Sequence, residues 1–127
     1  MTAKNTGTIK ALIVDDELDI CYLLSRVLKQ KNVQAAFAVS LADAENFLQH
    51  EADPSVIFLD NHLPDGLGIN YIRKLKKNHP FTKIVMITAH DNASDREIAR
   101  REGADFFIGK PFSREIIYDA LYTVLGQ

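Results

Sequence analysis

Asp15, Asp16, Asp60, Thr88 and Lys110 are the residues of this 127-residue chain whose types and spacing point to chemistry. Asp15 and Asp16 close the apolar run Ala11-Leu12-Ile13-Val14, and Asp60 closes Val56-Ile57-Phe58-Leu59. Thr88-Ala89 follow Ile84-Val85-Met86-Ile87, and Lys110-Pro111 lie just past Phe106-Phe107-Ile108. From Asp15 to Asp60 is 45 residues, from there to Thr88 is 28, and from Thr88 to Lys110 is 22. If the ends of these runs meet on one rim, three carboxylates crowd together. Two such charges about 4 Å apart cost roughly 4 kcal/mol at an effective dielectric near 20. Either one group keeps a proton or a cation sits among them. A hard divalent ion such as Mg²⁺ suits carboxylates plus water and leaves a side open for phosphate. Lys110 adds an ammonium and Thr88 a hydroxyl donor. A carboxylate nucleophile among such groups describes a site that accepts a phosphoryl group. A single acid at a strand end is also a common helix N-cap, and Asp16 before Glu17 fits that alone. The joint pattern across four runs carries the chemical reading.

The elements that must position these residues follow from hydropathy. The four runs do not alternate with polar residues, so they read as strands buried on both faces of a parallel sheet. A weaker run, Val33 to Val39, reads as a further strand near an edge. Helical spacing fills the gaps. Glu17–Lys31 places Ile20, Leu23, Leu24, Val27 and Leu28 on one stripe, with Cys21 beside it as a small core residue. Leu41–His50 has Leu41, Ala44, Phe47 and Leu48, with Ser40 as N-cap. Gly68–Asn78 offers Ile69, Ile72 and Leu75. Ser113 caps a last helix carrying Ile117, Ala120, Leu121 and Val124. In Ala93–Glu102 only Ile98 and Ala99 point inward strongly, which predicts the loosest packing. Strand and helix alternate five times without repeats or a linker. This is an α/β chain: a five-stranded parallel sheet, doubly wound, with strand order 2-1-3-4-5. Its ligand site lies outside the carboxyl ends of the strands, at the point where the order reverses.

Composition narrows the function classes. With 46% hydrophobic and 25% charged residues, the chain makes one ordinary domain and not a disordered one. Residues 1–8 read as a flexible tail and 9–127 as the folded unit. A formal charge of −2 argues against a nucleic-acid binder. The single Cys21 excludes a disulfide scaffold and fits a reducing, cytoplasmic compartment. No apolar run is long enough to span a membrane.

From about Ile9 to Leu125 the sequence resembles the receiver domains of two-component response regulators, the chemotaxis-regulator-like group with a flavodoxin-like fold. The resemblance rests on Val14-Asp15-Asp16, on Asp60-Asn61-His62-Leu63-Pro64-Asp65-Gly66-Leu67-Gly68, on Thr88-Ala89 and on Lys110-Pro111-Phe112. It implies that Asp60 is the phosphoacceptor, taking its phosphoryl group from a phosphohistidine on a sensor histidine kinase or phosphotransfer protein. It implies that Asp16 binds Mg²⁺ directly, that Asp15 acts partly through water, and that Asp60 and the His62 backbone carbonyl complete the protein ligands. Thr88 and the Ala89 amide would hold phosphoryl oxygens, Lys110 would pair with them, and the Lys110-Pro111 bond would be cis. Phe107 would fill the space Thr88 vacates and switch the face formed by the fourth helix, fifth strand and fifth helix. The partners implied are a kinase, a downstream target or output domain, and a second copy on phosphorylation. Catalysis would be limited to self-phosphorylation from a phosphodonor and autodephosphorylation. The sequence ends just past the last helix and reads as a stand-alone receiver or as the receiver piece of a longer regulator or hybrid kinase.

Three features are this chain's own. Phe107 stands where the family often has Tyr. His62 and His90, each two residues past a site residue, stand at places that in receiver domains border the water that hydrolyses an aspartyl phosphate. They would tune its lifetime, or they are two solvated loop residues. Tyr118, Tyr122, Arg96, Arg100 and Arg101 add polar and charged surface near the output face, but three arginines do not make a DNA reader. Two other function classes compete. A small-molecule phosphohydrolase using Asp60 as nucleophile would need a general acid, for which Asp65 is the nearby candidate, and a cap over its substrate. A phosphate-independent interaction module would not need the acidic set.

Overall fold

The computed structural model describes residues 8–126, so all but the last residue of the expected tail lies outside the described part. Five strands form one parallel sheet: β1 (Ile9–Val14), β2 (Val33–Ala38), β3 (Val56–Asp60), β4 (Lys83–Thr88) and β5 (Phe106–Gly109). Their order is β2-β1-β3-β4-β5. A short antiparallel ribbon, His62–Leu63 with Gly66–Leu67, follows β3 and stands outside the sheet. The helices are α1 (Leu18–Lys29), α2 (Leu41–His50), α3 (Ile72–Asn78), α4 (Ala93–Glu102) and α5 (Arg114–Leu125).

Successive strand residues point to opposite faces, and here both faces are covered. Ala11, Ile13, Phe58, Val85 and Ile87 pack with Leu24 and Leu28 of α1 and Ile117 and Leu121 of α5. Leu12, Val14, Ile57, Leu59 and Met86 pack with Leu48 of α2, Ile72 and Leu75 of α3 and Ala99 of α4. Each fully buried Leu, Ile or Phe contributes roughly 1.5–3 kcal/mol of transfer free energy. Two covered faces are why the runs lack polar alternation.

Register sets the rim. Asp60 pairs with Ile87, so β3 and β4 finish together, and Thr88 pairs with Gly109 of β5. Val14 pairs with both Ala38 and Leu59, which brings Asp15 to the same edge.

Local differences from the sequence pattern have physical causes. The buried stripe of α1 is Cys21, Leu24, Val27 and Leu28, so Cys21 lies within it, whereas Leu23 falls on the outer flank and is 51% exposed. In α4 only Ala99 is buried and Ile98 faces outward. The segment expected as one helix from Gly68 begins as a 3₁₀ turn, Gly68–Asn70. There Gly68 N donates to Asn61 O at 2.8 Å and Ile69 N to Asn61 Oδ1 at 2.9 Å, tying the turn to the end of β3. Ser40 and Ser113 cap α2 and α5 as their positions predict, accepting from Asp43 N and Ile116 N.

Candidate functional site

The end of β1 carries Asp15 inward. Its amide donates to Ala38 O at 3.0 Å, and its Oδ1 accepts from Glu17 N at 2.9 Å. The Asp15 and Asp60 carboxylates are buried and Asp16 is exposed, and one oxygen from each lies within 4.8 Å of the others. Lys110 reaches in from the end of β5. Its amide donates to Thr88 O at 2.8 Å, and the Lys110–Pro111 peptide is cis. Its Nζ lies 2.8 Å from Asp15 Oδ2, 3.0 Å from Glu17 Oε1 and 3.6 Å from Asp60 Oδ1.

These positions shift the protonation equilibria. Burial, then the charge of Asp15, push the Asp60 carboxyl up to about 6; Lys110 and the backbone amides of Asn61 and His62 oppose them. Burial pulls the Lys110 ammonium down, but its hydrogen bonds to Asp15 and Glu17 outweigh that and raise it. One ammonium therefore only partly offsets a knot of carboxylates. All the convergent donors are carboxylate oxygens, the set that a hard divalent cation of the Mg²⁺ kind accepts and a soft one does not prefer. The residues present fit such an ion.

Thr88 is buried, and its Oγ1 accepts from His90 N at 3.1 Å. Ala89 follows it, exposed at the rim. His62, on the ribbon, and His90, two residues past Thr88, are in contact, with ring centroids 4.4 Å apart and planes inclined by 56°. Both are exposed. Phe107 stands apart from the carboxylates. It is half-buried on β5, against the α2–α3–α4 side of the sheet.

One participant escaped the sequence reading. Glu17, read there only as the start of a helix, pairs with Lys110 across 93 residues. Asp65 is not at the site: its carboxylate accepts from Leu41 N and Ala42 N, both at 2.9 Å, and so caps α2. Those two amides hold it below the usual carboxylate range. That removes the one candidate general acid for a phosphohydrolase. Gly68 is a local requirement of the site, because a Cβ there would strike the Asp60 carbonyl oxygen. Cys21 Sγ donates to Asp15 O at 3.4 Å, and burial pushes its thiol up to about 11, so it stays an unreactive thiol.

Comparison with known proteins agrees with this geometry. The family model for the response regulator receiver domain matches residues 11–122. The response regulator protein PilR of Pseudomonas aeruginosa is 34% identical over 116 residues, which cover 88% of this chain. The chain spans only 26% of PilR's length. Among solved structures, the beryllofluoride-activated NtrC4 receiver domain dimer is similar, with a TM-score of 0.83 and 34% identity over 91% of this chain and 95% of that one. The receiver domain of NtrX from Brucella abortus gives a TM-score of 0.83 and 31% identity over 92% of this chain and 98% of that one. No helix among the described residues is long and apolar enough to cross a membrane. With strand order, acidic rim and family match in agreement, the chain belongs to the response regulator receiver domains of two-component signalling.

Proposed function

We propose that this receiver is a phosphorylation switch with Asp60 as acceptor. The observation that carries this reading is the convergence of buried Asp60 with Asp15, Asp16 and Lys110 at the carboxyl rim of the sheet. An Asp60 carboxylate oxygen attacks phosphorus of a phosphohistidine on a sensor kinase or phosphotransfer protein. The O–P bond forms as the N–P bond breaks, and the imidazole leaves with its electron pair. Asp16, Asp15 partly through water, Asp60 and the His62 carbonyl are the groups to hold Mg²⁺. When bound, Mg²⁺ supplies positive charge against the carboxylates and the transferring phosphoryl oxygens. Lys110 turns from Asp15 and Glu17 toward a phosphoryl oxygen, and the Thr88 hydroxyl and Ala89 amide donate to the others. Hydrolysis returns the Asp60 carboxylate: water attacks phosphorus, the Asp60 O–P bond breaks and inorganic phosphate leaves, at a rate that His62 and His90 set through that water. The chain is an enzyme only toward itself.

The phosphoryl group adds roughly −1.5 to −2 charges and three acceptor oxygens. Thr88 moves toward it, Phe107 packs into the space, and the face of α4, β5 and α5 changes shape. That face then meets a downstream protein, an output domain or a second copy. NtrC4, whose activated receiver is a dimer, is a similar case. The reduced thiol of Cys21 suits a cytoplasmic setting.

Intact-mass spectrometry after incubation with Mg²⁺ and acetyl phosphate tests the proposal. One phosphoryl adduct that needs Mg²⁺ and vanishes in Asp60→Asn is the expected result. No adduct, together with no binding of beryllofluoride, would point to the phosphate-independent interaction module.

A further inference from the structure

Arg96 joins the loop after Thr88 to Phe107. Its Nε lies 2.6 Å from Asp91 Oδ1, and a second guanidinium nitrogen lies 3.0 Å from Asp91 Oδ2. Its guanidinium carbon sits 4.8 Å from the centre of the Phe107 ring. An exposed arginine ordinarily samples many rotamers. A bidentate carboxylate fork fixes its plane and lowers the entropy lost on stacking. Asp91 is itself fixed in place against Gly109: a Cβ on that glycine would come within 2.7 Å of Asp91 Oδ2 and 2.9 Å of Asp91 Cβ. Gly109 is the strand partner of Thr88. The contacts therefore run Thr88 loop, Asp91, Arg96, Phe107, with Gly109 leaving the room Asp91 needs. They also bridge α4, which buries only Ala99, to β5.

We infer that Arg96 is a positioning residue that clamps Phe107 in its half-buried resting place and is aimed by Asp91. Movement of Thr88 toward a phosphoryl group drags the same loop, lifts Asp91 from Gly109 and turns the Arg96 plane off the ring. Phe107 is then free to move inward. Nothing in the switch expected from Thr88 and Phe107 requires an arginine here; the clamp sets how strongly the resting state is favoured. The inference rests on the reading of Asp60 as acceptor.

The test places p-fluorophenylalanine at position 107 and follows its ¹⁹F resonance while the whole chain, with Mg²⁺, is titrated with beryllofluoride. Arg96→Ala, Arg96→Lys and Asp91→Ala are compared with the wild type. The Arg96 side chain is 49% exposed, and alanine is the better helix former, so the fold survives the change. In Arg96→Ala the resonance of the free protein moves toward the position it takes in the beryllofluoride-saturated wild type. Beryllofluoride binds about two- to fivefold tighter, the weight of one exposed cation–π contact. Arg96→Lys, which keeps charge without the planar fork, falls between, and Asp91→Ala behaves as Arg96→Ala does. An unmoved resonance in the free Arg96→Ala protein, or unchanged affinity, overturns the clamp. Failure of the wild type to bind beryllofluoride overturns the acceptor reading instead, and an unmoved resonance in free Arg96→Ala overturns the clamp even then.

Discussion

Lys110 is bonded to Asp15, at 2.8 Å, and stands 3.6 Å from Asp60. The ammonium is therefore held away from the proposed nucleophile by its neighbour. Asp60 is left with burial and the charge of Asp15 against it, which is why its carboxyl is pushed up to about 6. Lys110 does not hydrogen-bond Asp60 in this arrangement, and it has only a short swing to make toward a new anion.

Replacing Lys110 by Met removes the one ammonium from this knot. Its side chain is 9% exposed and that of Asp15 3%, so the pair is shielded from water. Breaking a buried pair by removing one partner costs about 3–5 kcal/mol, because the other charge is stranded. Urea unfolding of Lys110→Met near neutral pH without divalent ions should show a loss of about that size. Adding Mg²⁺ should restore much of it, since a bound cation replaces the lost charge. A loss unaffected by Mg²⁺ would mean that the carboxylates do not share one cation.

Asp60→Asn should stabilise the ion-free protein, with a definite pH signature. The folded carboxyl titrates at about 6 against a usual 3.8, so between those values the folded state binds more protons than the unfolded one. Stability then falls as pH rises through that window and stays low above it. By the free energy of such a shift, Asp60→Asn should gain up to about 3 kcal/mol near pH 7. The gain should shrink to nothing below about pH 4. Thermal unfolding in a chelator across that range checks it, and a gain independent of pH would assign the effect to something other than ionisation.

What the sequence shows and hides at this site divides along the range of the interactions. Val56 to Leu59 announces a strand buried on both faces, and Asp60 after it announces the rim, because hydropathy and position are local. Ser40 announces a cap for the same reason, and it accepts from Asp43 N at 3.0 Å. The two amides before it, of Leu41 and Ala42, donate to Asp65, 24 and 23 residues away, and no local spacing encodes that choice. Glu17 meeting Lys110 and the His62–His90 contact are hidden likewise. Spacing alone puts Leu23 on the stripe of α1. The phase of a stripe depends on what covers the helix, and here the sheet and α5 cover Leu24 and Leu28 instead.

Gly68 gives a sharp steric prediction. A methyl group there would meet the Asp60 carbonyl oxygen and lie 3.0 Å from Leu59 Cγ, and the first of these is backbone that cannot rotate away. Gly68→Ala should cost about 1–3 kcal/mol by overpacking. It should also weaken Mg²⁺ binding, since Asp60 and the ribbon bearing His62 must shift. Gly126→Ala is the control for a merely general glycine effect: nothing lies within 4 Å of a Cβ there, and its φ of 74° makes its cost local to the end of α5. Equal Mg²⁺ affinity in Gly68→Ala and wild type would break the link between this turn and the site.

His62 and His90 should set the lifetime of the aspartyl phosphate. Their rings stand 4.4 Å apart, His62 on the ribbon two residues past Asp60 and His90 two residues past Thr88, and as a pair they would roof the approach of water to a phosphoryl group on Asp60. Replacing either one alone leaves half the roof, and the remaining imidazole can swing into the space. Replacing both by Ala opens it. The aspartyl phosphate should then decay several-fold faster if the rings chiefly exclude water, and slower if they chiefly orient it. The contact between the rings favours exclusion, because two imidazoles packed 4.4 Å apart leave little room for a water between them. Following loss of the phosphoryl adduct by mass after removing the donor, from pH 6 to 8, measures this directly. Identical decay in the wild type and the double variant across that range would leave His62 and His90 as surface residues without a part in the lifetime.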